Sequence, residues 1–329
     1  MPLDWSPFVD VVRRYQRFLL TTHIRPDGDG LGSMLALADT LEALGKQAVL
    51  TVASTVPPRY HFLDPAGRVG RFQVPDEKHK AAEVAVVLDT GTWNQLGDFG
   101  PFLRQLAVPK LVLDHHLTQD DLGAVRLVDT SAEATGRLVF EAIRALDREP
   151  SPAAARALFV AVAMDTGWFR HDNTTPATFA LAAELVRCGA RPTELYGLLF
   201  EQNSLARLRL TGLVLERLTL AENGRVAYTE IRRGDYEATG AVPQDSEDLI
   251  NYTRSVAGVE VGLFFMEQPR GGIKVSFRSR AVDVARVAEG FGGGGHRLAS
   301  GATLQTSLEE ARTRVLRAVA EALATRPPA

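Results

Sequence analysis

The sequence predicts an α/β protein: an N-terminal doubly wound, mainly parallel sheet joined by a helical linker to a smaller C-terminal α/β domain. Three observations carry this expectation. Short Val/Leu-rich runs in the first half are separated by stretches with helical spacing, the pattern of strands buried on both faces. After Leu218 the texture changes to alternating strands with a hairpin-type turn. The 329 residues also exceed one typical domain of ~150 residues. The expected boundaries are 1–190 for the first domain, 191–208 for the linker and 209–329 for the second domain.

Taken in order, Phe18–Thr22 reads as a buried strand and Leu31–Leu44 as a helix stopped by Gly45. Ala48–Val52, Val84–Leu88 and Leu111–Leu113 are further strands, and Val125–Val128 is a weaker one. Apolar residues at helical spacing mark Glu133–Asp147. Ser151-Pro152 supplies an N-cap and a proline at the first helical position, opening a helix through about Met164. Thr175-Pro176 repeats that start, and Gly189 stops the helix after Cys188. Pro192–Phe200 and Leu205–Leu218 continue the helical stretch. Arg225–Ile231, Val259–Met266 and Ile273–Arg278 alternate as strands, the last two joined across Gln268-Pro269-Arg270-Gly271-Gly272. Ser307 with Glu310 reads as a capping box before a final amphipathic helix.

Composition narrows the function class. The chain is 45% hydrophobic and 23% charged, with mean hydropathy −0.05, as in ordinary globular proteins. Its longest uninterrupted apolar run, Ala157–Met164, is far short of the ~18 residues needed to cross a bilayer. The first residues have no basic stretch leading into an apolar one, so no secretory signal is expected. The lone Cys188 excludes an internal disulfide and a thiolate metal cluster. These features point to the cytoplasm. Residues 1–208 carry 21 basic and 25 acidic side chains, and residues 209–329 carry 16 and 15. Neither part has the basic excess of a domain that binds long duplexes, so a nucleic-acid ligand would be short.

Four segments carry the chemistry. His23-Ile24-Arg25-Pro26-Asp27-Gly28-Asp29-Gly30 follows the first strand, Asp89-Thr90-Gly91 follows Val84–Leu88, and Asp114-His115-His116 follows Leu111–Leu113. Asp165-Thr166-Gly167 ends the Pro152–Met164 helix. In an open parallel sheet, ligands bind outside the carboxyl ends of the strands, so the fold should gather these segments. Crowded carboxylates either protonate or recruit cations. Oxygen and imidazole donors without thiolates suit Mn²⁺ first, with Mg²⁺ or Co²⁺ as alternatives. Four carboxylates balance two divalent ions, as in two-metal hydrolytic sites with ions ~3.5–4 Å apart. Singly, an aspartate after a strand is often an N-cap or turn former. Turn formation, however, gives no reason for His23, His115 and His116 to share these segments.

The second domain holds Phe291-Gly292-Gly293-Gly294-Gly295-His296 and, upstream, Arg278-Ser279-Arg280. Consecutive glycines let backbone amides approach an anion, and arginine offers a forked donor for phosphate. The duller alternative is a flexible loop beside a solvated basic strand.

His23-x-x-Pro26-Asp27-x-Asp29, Asp89, Asp114-His115-His116 and Asp165 resemble the four motifs of the DHH phosphoesterases. Arg278-Ser279-Arg280 and Gly292–His296 resemble the accompanying DHHA1 domain. The compact two-domain form is similar to the NrnA group of nano-RNases and 3′-phosphoadenosine-5′-phosphate (pAp) phosphatases. The resemblance implies that His23, Asp27 and Asp89 hold one metal, while Asp29, Asp89, His115 and Asp165 hold the other, Asp89 bridging. It further implies water activated between the ions for in-line attack on phosphorus, with His116 on the scissile phosphate; Asp89, His115 and His116 form the catalytic set. Arg254, Arg278, Arg280, Gly293, Gly294, Gly295 and His296 would hold the far end of the substrate. Asn173-Thr174 is a further contributor. Short RNA, dinucleotides or pAp are the expected substrates, with no long duplex and no membrane, and the resemblance is compatible with a homodimer.

A cyclic or linear dinucleotide phosphodiesterase would use the same residues with a different pocket. A RecJ-like single-strand exonuclease shares both domains but needs a further nucleic-acid-binding module. A family-type inorganic pyrophosphatase carries a different second domain, without the glycine run and His296. A nucleotide sensor with a dead site has no need of intact ligands at every position.

Overall fold

In the computed structural model, residues 3–269 and 271–325 are described; Arg270 of the expected turn lies outside them, as do Met1 and Pro2. The chain divides into two compact units, the first ending at Gln202 and the second beginning at Asn203. The expected linker 191–208 is shared between them. Its Pro192–Phe200 helix buries Leu195 and Leu199 in the first core, whereas the Leu205–Glu216 helix buries Leu210 and Val214 in the second.

The first unit is built on a six-stranded sheet. Its strands are β1 (Arg17–Thr21), β2 (Gln47–Val52), β3 (Val69–Arg71), β4 (Val84–Leu88), β5 (Lys110–Asp114) and β6 (Val125–Val128). All pairings are parallel, in the order β3-β2-β1-β4-β5-β6. Chain order reverses between β1 and β4, which opens a crevice at their carboxyl ends. Both faces are buried, which explains the unbroken apolar runs. Phe18 and Leu20 of β1 join the core under the Gly28–Ala43, Thr135–Ala145 and Pro152–Asp165 helices, while Leu19 joins Phe72, Phe99 and Val112 opposite.

In this unit the strand boundaries agree with the sequence reading to within a residue, except that β3 was not expected. The helix expected from Leu31 starts instead at Gly28, because the Asp27 carboxylate caps it by accepting from the Asp29 and Gly30 amides at 3.0 and 3.1 Å. The extra turn places Asp29 inside the helix. The Gly28–Ala43 and Pro152–Asp165 helices pack closely: a Cβ on Gly32 would lie 2.3 Å from the Ala157 carbonyl oxygen. Ser151 caps the second helix through the Ala154 amide.

The second unit has a mixed sheet: β7 (Thr219–Ala221), β8 (Val226–Ile231), β9 (Val261–Glu267), β10 (Ile273–Ser279), β11 (Gly294–His296) and β12 (Ala299–Leu304). Its order is β11-β12-β10-β9-β8-β7, and only β8–β9 is parallel. Here β9 starts two residues later than expected, and β7, β11 and β12 were not expected. Leu263, Phe265, Val275 and Phe277 face the final Leu308–Ala324 helix, while Phe264 and Met266 face the Leu205–Glu216 side. The capping box expected before the final helix is half formed. Ser307 Oγ accepts from the Glu310 amide, but the Glu310 carboxylate takes the Thr306 hydroxyl instead of the cap amide. Among the described residues, no helix is long and apolar enough to cross a membrane.

Candidate functional site

The crevice at the ends of β1, β4 and β5 gathers the four aspartate and histidine segments. His23 follows β1 by two residues, Asp89 follows β4 directly, Asp114 closes β5 and Asp165 closes the Pro152–Asp165 helix. His23 Nε2 lies 3.6 Å from Asp27 Oδ1 and 3.4 Å from Asp89 Oδ2. His115 Nε2 lies 3.7, 3.6 and 3.4 Å from carboxylate oxygens of Asp29, Asp89 and Asp165. Among the described residues three donor groups are each compact enough to hold an ion, His23–Asp27–Asp89, Asp29–His115–Asp165 and Asp89–His115–His116, the last sharing Asp89 with the first and His115 with the second. Asp89 reaches the first group through Oδ2 and His115 of the second through Oδ1.

The imidazoles are oriented from behind. His115 Nδ1 contacts the Ala132 carbonyl oxygen at 3.1 Å, and His23 Nδ1 contacts that of Ile24 at 2.9 Å. A proton on each Nδ1 satisfies these acceptors and turns Nε2 into the site. His115 Nε2 is buried and has no hydrogen-bond partner, an arrangement suited to a cation. His116 differs: its Nδ1 contacts Asp114 Oδ1 at 2.8 Å, leaving Nε2 at the half-exposed rim. That hydrogen bond raises its pKa to about 8. Asp114 itself is fully buried and stands behind His116, outside all three donor groups.

Burial and crowding raise the pKa of two of the carboxylates, whereas the neighbouring His23 imidazole lowers that of Asp27 against its burial. Burial, then repulsion from Asp89, Asp165 and Asp27, holds Asp29 well above the usual carboxylate range. Burial and the neighbouring aspartates raise Asp165 to about 6, against the opposing influence of His115. Burial works against charge on His23, but hydrogen bonds and attraction from Asp27 and Asp89 raise it to about 10. Asp89 adopts φ 61°, a left-handed conformation costly for a side chain with a Cβ, and is 3% exposed. Crowded acids, an unpartnered buried imidazole nitrogen and an all-oxygen-and-nitrogen donor set together fit a pair of divalent cations.

The sequence reading missed Thr135 and Gly136. Their amides donate to Asp29 Oδ2 and Oδ1 at 2.7 and 2.9 Å, and the Thr135 hydroxyl donates to Asp89 Oδ1 at 3.0 Å. Asp29 therefore sits on the N-terminus of the Thr135–Ala145 helix, where free amides favour negative charge. A Thr-Gly pair opening that helix was the available signal, but more than 100 residues separate it from Asp29. Asn173 Nδ2 donates to the Glu133 and Asp165 carbonyl oxygens, bracing the backbone at Asp165.

In the second unit, strand register aligns the expected phosphate donors. His296 of β11 pairs with Ala299 of β12, Ala299 with Arg278 of β10, and Arg278 with Gly262 of β9. Directly opposed residues in antiparallel pairs share a face, so His296 and Arg278 flank the small Ala299. Arg254 lies over Gly262, where an added Cβ would meet its Cγ at 3.3 Å. Arg280 Nη2 donates to the Arg254 carbonyl oxygen at 2.8 Å, and Arg254 Nε is buried without a partner. Burial, then the like charge of Arg254, lowers the Arg278 pKa, opposed by Asp248. The glycine run is not the loose loop of the duller reading. Gly294–His296 forms a strand, and Cβ atoms on Gly293 or Gly295 would collide with the β12 backbone, at 2.2 Å from Gly301 O and 2.7 Å from Ala299 O.

Residues 17–164 match the N-terminal domain of the DHH family and residues 223–325 the DHHA1 domain. The chain is 34% identical, over 92% of its length and 89% of the relative's, to the bifunctional oligoribonuclease and PAP phosphatase NrnA of Thermus thermophilus. It is 28% identical to the protein of that name from Bacillus subtilis, covering 91% of this chain and 93% of that one. Its fold is similar to that of an exopolyphosphatase-related protein from Bacteroides fragilis, with TM-score 0.88, 24% identity and coverage of 96% and 95%. A second similar fold is RecJ of Thermus thermophilus in complex with Mn²⁺, with TM-score 0.51, 16% identity and coverage of 99% of this chain and 56% of that one.

Proposed function

The chain belongs to the DHH phosphoesterase family, with a DHHA1 domain in its second unit, and on that premise we propose a cytoplasmic hydrolase of short oligoribonucleotides and pAp. The observation that supports it most directly is the set of donor groups linked through Asp89 and His115, in a chain related to two bifunctional enzymes over nine-tenths of its length. His23, Asp27 and Asp89 would hold one ion, and Asp29, Asp89, His115 and Asp165 the other. Two divalent ions, Mn²⁺ in the first instance, supply Lewis acidity and an activated water for displacement at phosphorus.

The protein's own groups do the rest. Thr135 and Gly136 hold the Asp29 carboxylate, and the Ala132 carbonyl oxygen sets the His115 tautomer. His116, fixed through Nδ1, presents Nε2 as a donor to a phosphate oxygen, where charge develops as the P–O bond breaks. Arg278, Arg254 and Arg280, with His296 across Ala299 from Arg278, would offer donors to a second phosphate. On this reading the same groups serve both reactions. A terminal 3′-phosphate leaves as inorganic phosphate, and a phosphodiester at that position leaves a mononucleotide.

The test is a hydrolysis panel in Mn²⁺ and in Mg²⁺, with pAp, di- to pentaribonucleotides, longer RNA, cyclic di-AMP and pyrophosphate. Mononucleotides from the short RNAs and AMP from pAp are the expected products. Turnover of pyrophosphate alone would reject the proposal, and preference for cyclic di-AMP would redirect it to a dinucleotide phosphodiesterase. Asp89→Ala should reduce turnover at least about 100-fold, since even outer-sphere partners of metal ligands account for ~10–100-fold.

A further inference from the structure

We propose that Gln119 is a positioning residue for His116, acting through Asp114, and that Gly91 exists to leave it room. The inference rests on the reading of His116 as a phosphate contact given above. Asp114 is fully buried, so both carboxylate oxygens need donors from the protein. Oδ1 receives the His116 amide at 3.2 Å and meets its Nδ1 at 2.8 Å. Oδ2 receives the Gln119 amide nitrogen at 2.5 Å, and the same nitrogen reaches the His116 carbonyl oxygen at 3.0 Å. Because both partners are acceptors, the orientation of the Gln119 amide is unambiguous. The chain of contacts thus runs from Gln119 through Asp114 to the His116 ring, with a second hold on the His116 backbone.

Gln119 is itself fastened to the segment that carries Asp89. A parallel bridge joins Gly91 to Gln119, the Asp120 amide donates to the Gly91 carbonyl oxygen at 2.8 Å, and Asp120 Oδ2 accepts from the Trp93 amide at 2.9 Å. A Cβ on Gly91 would fall 1.8 Å from Gln119 Oε1. The obstructed atom is the end of a flexible side chain, so Gly91→Ala would push the glutamine aside without displacing backbone. It therefore gives a second, sterically independent way to break the same contact. Gln119→Glu keeps the shape but sets a carboxylate against Asp114, removing the donor.

The experiment uses the full chain. Long-range ¹⁵N–¹H spectra of the metal-free protein, at alkaline pH with the imidazole neutral, report the tautomer of His116, assigned with His116→Ala. The wild type should show a single Nδ1–H form. Gln119→Ala, Gln119→Glu and Gly91→Ala should each show exchange between tautomers, and Leu117→Ala, at an exposed neighbour, should not. In steady-state assays the first three should lower kcat about tenfold or more, with KM changed by less than about twofold. Combining Gly91→Ala with Gln119→Ala should add nothing. Unchanged His116 signals in the Gln119 and Gly91 variants, or losses confined to KM, would overturn the proposal. If the wild type cleaved no phosphoester, the functional reading would fail while the ring signals still decided the positioning role.

Discussion

Asp29 shows how much of this site depends on single contacts. Its carboxylate is almost wholly buried and faces three other aspartates, yet two helix-terminal amides and the Ser33 hydroxyl keep it in place. Asp89 is held in a left-handed backbone conformation and braced by the Thr135 hydroxyl. Thr135 thus stands behind two proposed ligands, one in each ion's set. Thr135→Val keeps the shape and removes the hydroxyl, and should weaken Mn²⁺ binding by about 10- to 100-fold in calorimetric titration. Unchanged affinity would show that the Asp89 orientation is fixed by its backbone alone. None of this was legible locally, because Asp29 follows β1 and Thr135 follows β6, and the two meet only when those strands are laid into one sheet. The aspartates and histidines themselves were legible, since histidine has no role in ordinary turns.

At the scale of elements, the positions of helices relative to one another set the site's precision. The Gly28–Ala43 helix carries Asp29 and the Pro152–Asp165 helix carries Asp165, and they pack at a separation that excludes a side chain at Gly32. The obstacle at Gly32 is the Ala157 backbone, which cannot move aside as a side-chain end can. Gly32→Ala should cost about 1–3 kcal/mol in urea unfolding and lower Mn²⁺ affinity together. A stability loss with metal binding untouched would show that the helices can separate without moving their aspartates. The start of this helix was misplaced by one turn in the sequence reading. Glycines at 28, 30 and 32 weaken local helix propensity, and only the Asp27 cap and burial on all sides restore it. Ser151-Pro152 and Thr175-Pro176, by contrast, are local devices, and both helices begin where those residues predict.

At the scale of the molecule, each unit has its own sheet and core, and each carries a different part of the proposed chemistry. That division is testable. Arg278→Ala should raise KM for 5′-phosphorylated substrates by about tenfold or more, the usual worth of a charge-assisted contact, while leaving Mn²⁺ affinity unchanged. Asp89→Ala should do the reverse, abolishing metal binding with little effect on substrate retention. Coupled losses in both variants would mean that the two units do not act separately.

The sequence by itself determined the class of fold and which aspartates and histidines the crevice gathers. Buried parallel strands require continuous apolar runs, and chemistry at their carboxyl ends requires polar residues directly after them. Both constraints act on neighbouring residues and are therefore written along the chain. The tertiary structure alone decided which groups stand behind the site: Thr135 and Gly136 on Asp29, Gln119 on Asp114, and Ala299 between His296 and Arg278. The contacts on Asp29 and between Ala299 and Arg278 join distant segments through helix packing and strand register, while that of Gln119 on Asp114 depends on how the intervening loop folds. A hydrogen bond between residues 29 and 135 leaves no periodicity or spacing to read, because its geometry comes into being only when the sheet closes the distance.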